Sequence, residues 1–206
     1  MDPYLSYALA VLIGYLLGSS NMAIYLSRAK GVDLRAGGSG NPGASNTVSL
    51  MGWKAGALVA LHDIGKAFLA VWLCKKLFPT LGYAGAAAGV ACVIGHIFPF
   101  YMRFRGGKGF ASYYGMIWGL NWRFAIAIGI AIIVVVLITD YIVVGTMTTV
   151  IAYPAFCALR SNYVLALMVG AVTLLIIWKH RSNLVRIANG TEIKVRAAGK
   201  GNYRVK

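Results

Sequence analysis

Apolar runs long enough to cross a bilayer recur along the whole chain, separated by short polar or glycine-rich breaks. Crossing a hydrocarbon core of roughly 30 Å takes about 20 apolar residues. Seven segments are candidates: about 4–26, 53–78, 82–104, 108–121, 123–144, 145–160 and 162–179. Segment 123–144 is the cleanest, because Ala125 through Thr139 carries no charge. Segments 108–121 and 145–160 are short; the first is rich in Gly and Tyr, and the second carries Pro154. Short or interrupted helices at membrane depth are tolerated where they pack on protein or line a wet cavity. The pattern therefore predicts an all-α, polytopic membrane bundle with a cleft. Gly82 and the run of Ala and Gly from Ala84 to Gly89 predict close helix packing. Residues 1–206 read as one membrane domain, with a polar tail over 180–206 that folds back on the membrane face.

Composition sharpens this picture. The 206 residues are 59% hydrophobic and 12% charged, against about 45–50% and about 25% in a soluble domain. A net charge of +15 would suggest nucleic acid in a soluble protein. In a membrane protein, cations sort to the cytoplasmic side. Fourteen of the twenty Lys and Arg fall in the first loop, the third loop and the tail. That bias predicts a cytoplasmic C-terminus, an N-terminus outside and an odd number of spans. No nucleic-acid partner is expected. Residues 4–17 lack a basic lead-in, so they read as a first span rather than a cleaved signal. Cys74, Cys92 and Cys157 sit in apolar runs without metal spacing, as small packing residues do.

Two loops carry candidate chemistry. The first reads Gly37-Gly38-Ser39-Gly40-Asn41-Pro42-Gly43-Ala44-Ser45-Asn46 and abuts a helix. Glycines let backbone amides turn toward an anion, and the helix start adds positive potential. It lacks the Gly-Lys-Ser/Thr ending of a nucleotide loop. The second reads Arg103-Phe104-Arg105-Gly106-Gly107-Lys108-Gly109, which makes Lys108 a point charge beside tight glycines. Both fall on the side predicted to be cytoplasmic, so an anionic, phosphate-bearing ligand is expected there.

Charged or polar residues inside apolar segments are costly and tend to be paired or functional. Asp63 and Lys66 lie at i and i+3, a spacing for a mutual pair that braces the loops. His96 precedes the second loop. His180 and Asn183 lie one helical turn apart and can share a cleft. Asp140 can cap a helix end. No His is followed five residues later by Asp, and no Gly-x-Ser-x-Gly or His-Glu-x-x-His occurs. The five acids are too scattered for a metal site, so neither metal nor cofactor is expected. A transporter of an anionic solute or lipid is the alternative that interrupted helices and intramembrane charges leave open.

Three ordered motifs resemble the acyl-phosphate-dependent glycerol-3-phosphate acyltransferases, the PlsY family. They are the Gly37–Asn46 loop, the stretch from Gly95-His96-Ile97-Phe98-Pro99 through Lys108-Gly109, and His180-Arg181-Ser182-Asn183 followed by Asn189-Gly190-Thr191-Glu192. Asp63-x-x-Lys66 matches as well. The resemblance runs from about residue 10 to about 195. It implies a seven-span bacterial inner-membrane enzyme with its motifs in the cytoplasm. It implies transfer of a fatty acyl group from acyl phosphate to the 1-hydroxyl of glycerol 3-phosphate, giving lysophosphatidic acid in phospholipid synthesis. By that likeness Lys108, Ser39, His180 and Asn183 are catalytic. Gly38, Gly40, Asn41, Gly43, Ser45, Asn46, Gly106 and Gly107 line phosphate sites, supported by Asp63, Lys66 and His96. One position departs: the family pattern places an Arg for glycerol 3-phosphate where this chain has Ser49. Lys54 or another cation then substitutes, or the acceptor differs.

Overall fold

The computed structural model describes residues 2–197. Among the described residues there is no strand, and nine α-helices follow in order: α1 Pro3–Ser19, α2 Met22–Lys30, α3 Ala44–Met51, α4 Trp53–Leu77, α5 Ala84–Ile97, α6 Phe110–Leu120, α7 Trp122–Thr139, α8 Ile142–Leu159 and α9 Tyr163–Ala188. A 3-10 turn spans Phe100–Met102. Among the described residues six stretches are long and apolar enough to cross a membrane, the first being α1 and α2 together over Pro3–Lys30. The expected segment 108–121 forms α6, whose 11 residues are only about 16 Å long at 1.5 Å per residue.

Several expected boundaries move, each for a local reason. Segment 4–26 breaks at Ser20 and Asn21, because the Asn21 side chain accepts the Ile24 amide at 3.1 Å and starts a new helix. The division expected at 144/145 falls instead at Asp140, which caps α7 in the left-handed region at φ 64°. Helix α8 thereby gains residues at its start and reaches 18. The expected tail begins as helix: α9 runs nine residues past Lys179. Residues 198–206 of that tail lie outside the described residues.

Small residues set the closest crossings. Gly14 and Gly18 of α1 face α5, where a Cβ would stand 2.1 Å from the Ala88 and Cys92 carbonyl oxygens. Gly115 of α6 meets the Ile64 carbonyl of α4 in the same way. With no hydrophobic drive between helices in lipid, such contact supplies dispersion energy that larger residues forbid. The stretch Ala84–Met102, which contains α5, is central and 72% buried, whereas α7 is 11% buried and presents Ile and Val outward.

The bundle has two distinct ends. At one, Lys75 Nζ donates to the Gly119 carbonyl at 2.8 Å, and the Tyr83 hydroxyl to Asn162 at 3.1 Å. At the other gather the 31–43 loop, the 103–109 loop, the Asp140 turn and the end of α9. There Asp140 accepts the Val195 amide at its carbonyl (2.9 Å) and the Arg196 amide at its carboxylate (3.0 Å). The segment after α9 is thus fastened across the start of α8.

Candidate active site

The floor of this second end is a buried charge cluster. Lys66 Nζ lies 2.8 Å from Asp63 Oδ1, one turn away on α4. It also donates to the Ser20 carbonyl at 2.6 Å and to His96 Nδ1 at 3.0 Å. An ammonium only donates, so His96 Nδ1 is the acceptor and its proton sits on Nε2. Asp63, Lys66 and His96 are all buried. Each holds the others in place, and removing one member of such a pair costs about 3–5 kcal/mol. The cluster ties α4 to α5 and to the break between α1 and α2.

The first loop is shaped by Asn46. Its Oδ1 accepts the Ser39 amide at 2.8 Å, while its Nδ2 donates to the Leu34 and Gly37 carbonyls at 2.8 and 3.2 Å. Asn46 is spent on the loop itself. Gly38 and Gly40 turn the chain at φ 58° and 67°, angles that suit glycine. The outcome is to leave the side chains of Ser39, Asn41 and Ser45 without a hydrogen-bond partner among the described residues, facing the hollow beside α3.

The second loop packs on the end of α5. The Gly106 amide donates to the Ile97 carbonyl at 2.9 Å and the Gly107 amide to the His96 carbonyl at 3.1 Å. These amides cap α5 instead of pointing into the hollow. Glycine is required here for close approach: a Cβ on Gly106 would stand 2.1 Å from the His96 carbonyl, and one on Gly107 2.2 Å from the His96 ring. Arg35 Nη2 donates to the Arg105 carbonyl at 2.7 Å and ties the two loops together.

Lys108 emerges from this base and bonds the Asn183 side-chain oxygen. Asn183 Nδ2 in turn donates to Glu192 Oε1 at 2.6 Å, and Arg186 Nε to Glu192 Oε2 at 2.6 Å. His180 donates from Nδ1 to the Ile176 carbonyl at 2.8 Å, which leaves Nε2 to face the hollow. Lys108 ordinarily titrates near 10.4. Burial, with Arg186 and Lys179 nearby and despite Glu192, pushes it down to about 8.

Two hollows meet at Ser39, Asn41 and Lys108. The inner cavity, about 160 Å³, is bounded by Phe110, Ala111, Ile142, Val143, Thr146, Ile193 and Val195, with Asp63 and His96 at its floor and Ser49, His180, Asn183 and Glu192 around it. The outer cleft, about 230 Å³, is bounded by Arg35, Gly40, Gly106, Lys179, Ser182 and Arg186. Among the described residues no acid lines the cleft, while four cations do.

The fold thus brings together Ser39, Asn41, Ser45, Asn46, Lys108, His180 and Asn183, drawn from three separated motifs. Gly38 and Gly107 bound neither hollow, and Lys66 lies beneath them. Sequence reasoning missed Arg35, Thr146, Lys179, Ser182, Arg186 and the wall role of Glu192. The spacing 179, 182, 183, 186 is one face of a helix, and that signal was available once α9 was extended past 179. Thr146 had none. Ser49 lines the cavity and donates to the Ser45 carbonyl at 3.1 Å. Lys54 is exposed on α4 and is not part of either wall.

A helical bundle with several crossings and a polar site at one end defines a multi-pass membrane protein. Comparison with known proteins agrees. The family model "Glycerol-3-phosphate acyltransferase" matches residues 8–190, and the chain belongs to that family. Relatives called glycerol-3-phosphate acyltransferase are 35% identical in Brucella anthropi, 34% in Coxiella burnetii and 36% in Salinibacter ruber. The matches cover 92%, 93% and 92% of this chain and 94%, 100% and 93% of the relatives. A crystal structure of PlsY, an integral membrane glycerol 3-phosphate acyltransferase in its glycerol 3-phosphate form, superposes with a TM-score of 0.86 at 32% identity, covering 92% of this chain and 95% of that one. The lysophosphatidic acid form gives 0.83 at 30% identity with the same coverage.

Proposed function

We propose that this protein transfers a fatty acyl group from acyl phosphate to the 1-hydroxyl of glycerol 3-phosphate, giving lysophosphatidic acid for phospholipid synthesis. The observation that carries the reading is the junction at Lys108 of an apolar cavity and a cationic cleft. The acyl chain enters between α6 and α8, along Phe110, Val143 and Ile142. Its phosphate then lies against Lys108, Ser39 and Asn41. Glycerol 3-phosphate arrives from water through the cleft, its phosphate held by Arg35, Lys179 and Arg186, which take over from the Arg missing at Ser49. His180 and Asn183 orient its glycerol end. Gly40, Gly43, Ser45 and Asn46 shape the loop, Gly38 its turn, and Gly106 and Gly107 the seat of Lys108. Asp63, Lys66 and His96 hold the floor.

In the step itself the acceptor oxygen bonds to the acyl carbon and the carbon–oxygen bond to phosphate breaks. Phosphate departs, and a substrate phosphate takes the hydroxyl proton. Lys108 stabilises charge gathering on the leaving phosphate, and Ser39 donates to it. Fixed donors and proximity supply the rate. No protein base is needed, which fits the absent His–Asp spacing.

The same reading places the site end in the cytoplasm of a bacterial inner membrane, with the N-terminus outside and α6 completing seven crossings. Helix α6 starts at Phe110, two residues after Lys108 at the site end, and finishes against Lys75 at the other. That end-to-end course and the cation bias support the odd count. Purified protein given acyl phosphate or acyl coenzyme A, each with glycerol 3-phosphate, tests the donor: lysophosphatidate forms from acyl phosphate alone. Product only from the thioester, or none from either, defeats the proposal.

A further inference from the structure

A second constellation lies on the other side of Asp63, with Ser20 and His62 outside both hollows. Ser20 sits in the extended break between α1 and α2. Its Oγ is 3.0 Å from His62 Nε2. His62 Nδ1 is 3.4 Å from Asp63 Oδ1. Asp63 is in turn fixed by Lys66 at 2.8 Å, and Lys66 also grips the Ser20 carbonyl at 2.6 Å. The Tyr25 hydroxyl donates to Ser20 Oγ at 3.3 Å.

A histidine that merely packs between helices needs one hydrogen bond. Here both ring nitrogens are committed, one to a hydroxyl and the other to a buried carboxylate. With the proton on Nδ1, the tautomer a carboxylate on that side favours, the Nε2 lone pair faces Ser20 Oγ. That is the order of groups that activates a serine, and such constellations are recognised by roles and not by sequence position. It also explains why the missing Gly-x-Ser-x-Gly elbow is no objection.

The surroundings define a substrate class. Leu58, Leu61, Tyr25 and Tyr101 beside the constellation are exposed on the outer face of the bundle. Aromatic side chains of this kind sit where lipid meets water. We propose that Ser20, His62 and Asp63 form a nucleophilic site for lipid acyl esters that shares only Asp63 with the acyl-transfer site. Ser20 Oγ bonds to the ester carbonyl carbon while its proton passes to His62 Nε2. The ester carbon–oxygen bond then breaks, and the leaving alcohol takes that proton. Water next gives a proton to His62, its oxygen bonds to the acyl carbon, and Ser20 departs with the proton from His62. The sum is ester plus water to acid plus alcohol. The Tyr25 hydroxyl, 3.3 Å from Ser20 Oγ, is a second hydrogen-bond donor at this site.

The site does not depend on the acyl-phosphate reading, and the test separates the two. Purified full-length protein in detergent is treated with a fluorophosphonate probe, and the adduct is mapped by mass spectrometry. The wild type carries one adduct, on Ser20. Ser20→Ala removes it, and His62→Ala slows labelling at least about 100-fold, the contribution of a general base. Lys108→Ala labels at the wild-type rate even though acyl transfer is lost. No adduct on the wild type, alongside a labelled control hydrolase, overturns the proposal, as does an adduct that persists in Ser20→Ala. His62→Gln serves where His62→Ala fails to fold, with the same expected loss.

Discussion

The cavity and the cleft share Lys108 and differ in nearly everything else. The cavity walls are mostly apolar, and its charged groups include two acids, Asp63 and Glu192. The cleft gathers Arg35, Lys108, Lys179 and Arg186 with no acid in its wall among the described residues. Glu192 pairs with Arg186 from behind that wall at 2.6 Å, which leaves Arg35, Lys108 and Lys179 to meet an anion. Under the proposed function the cleft accordingly takes the phosphate of glycerol 3-phosphate, and the cavity takes the acyl donor. The missing Arg at Ser49 fits this division, since Ser49 belongs to the cavity.

Substituting the shared residue has the largest expected effect. Lys108→Ala lowers kcat/KM for acyl transfer by about 1000-fold, the loss typical of a preorganised transition-state donor, while Tm stays close to wild type. Activity within tenfold of wild type removes Lys108 from the chemistry. Arg186 lines the cleft and pairs with Glu192 behind it, so Arg186→Gln raises the Michaelis constant for glycerol 3-phosphate about tenfold, the loss of one charge-assisted hydrogen bond. The donor's constant stays put. A rise for the donor instead assigns the cleft to acyl phosphate and reverses the comparison.

The third prediction uses pH. Lys108 is charged below its folded value of about 8 and loses that charge as pH rises through it. Donor affinity then falls about tenfold from pH 7 to 9, measured as the change in its Michaelis constant. Lys108→Arg, charged throughout, flattens the profile even if its rate is low. The smallest effect belongs to Ser49→Arg. It puts a second cation in the cavity and lowers the acceptor constant about threefold or less, since the cleft already holds the acceptor phosphate. A gain of tenfold or more shows that the cavity, not the cleft, binds it.

Much of the site was legible as three motifs. Ser39, Asn41, Lys108, His180 and Asn183 carry hydrogen-bonding or charged groups in glycine-rich or helix-end settings, and the structure brings them together. The glycines were misjudged in one respect. Gly106 and Gly107 looked like anion donors, yet their amides cap α5, because a helix ending at Ile97 leaves carbonyls that need partners. Asn46 likewise looked like a ligand and serves as the clasp of its own loop. In both cases the local sequence is equally compatible with either use, and only the position of α5 or of Leu34 decides. Arg35, Lys179 and Arg186 were hidden because cations near a membrane face are common.

Apolar runs of this length by themselves dictated a helical membrane bundle, since in lipid a helix satisfies its backbone amides within one segment. The run of Ala and Gly from Ala84 to Gly89 dictated that some helix would come very close. Which helix that would be, and therefore where His96 and the second loop sit relative to the first, was settled only when α5 packed against α1 and α4. The same packing set Asp63 between the acyl-transfer cavity and the Ser20–His62 pair. One carboxylate bracing two sites is a property of three helices in contact, and no periodicity along a single chain encodes it.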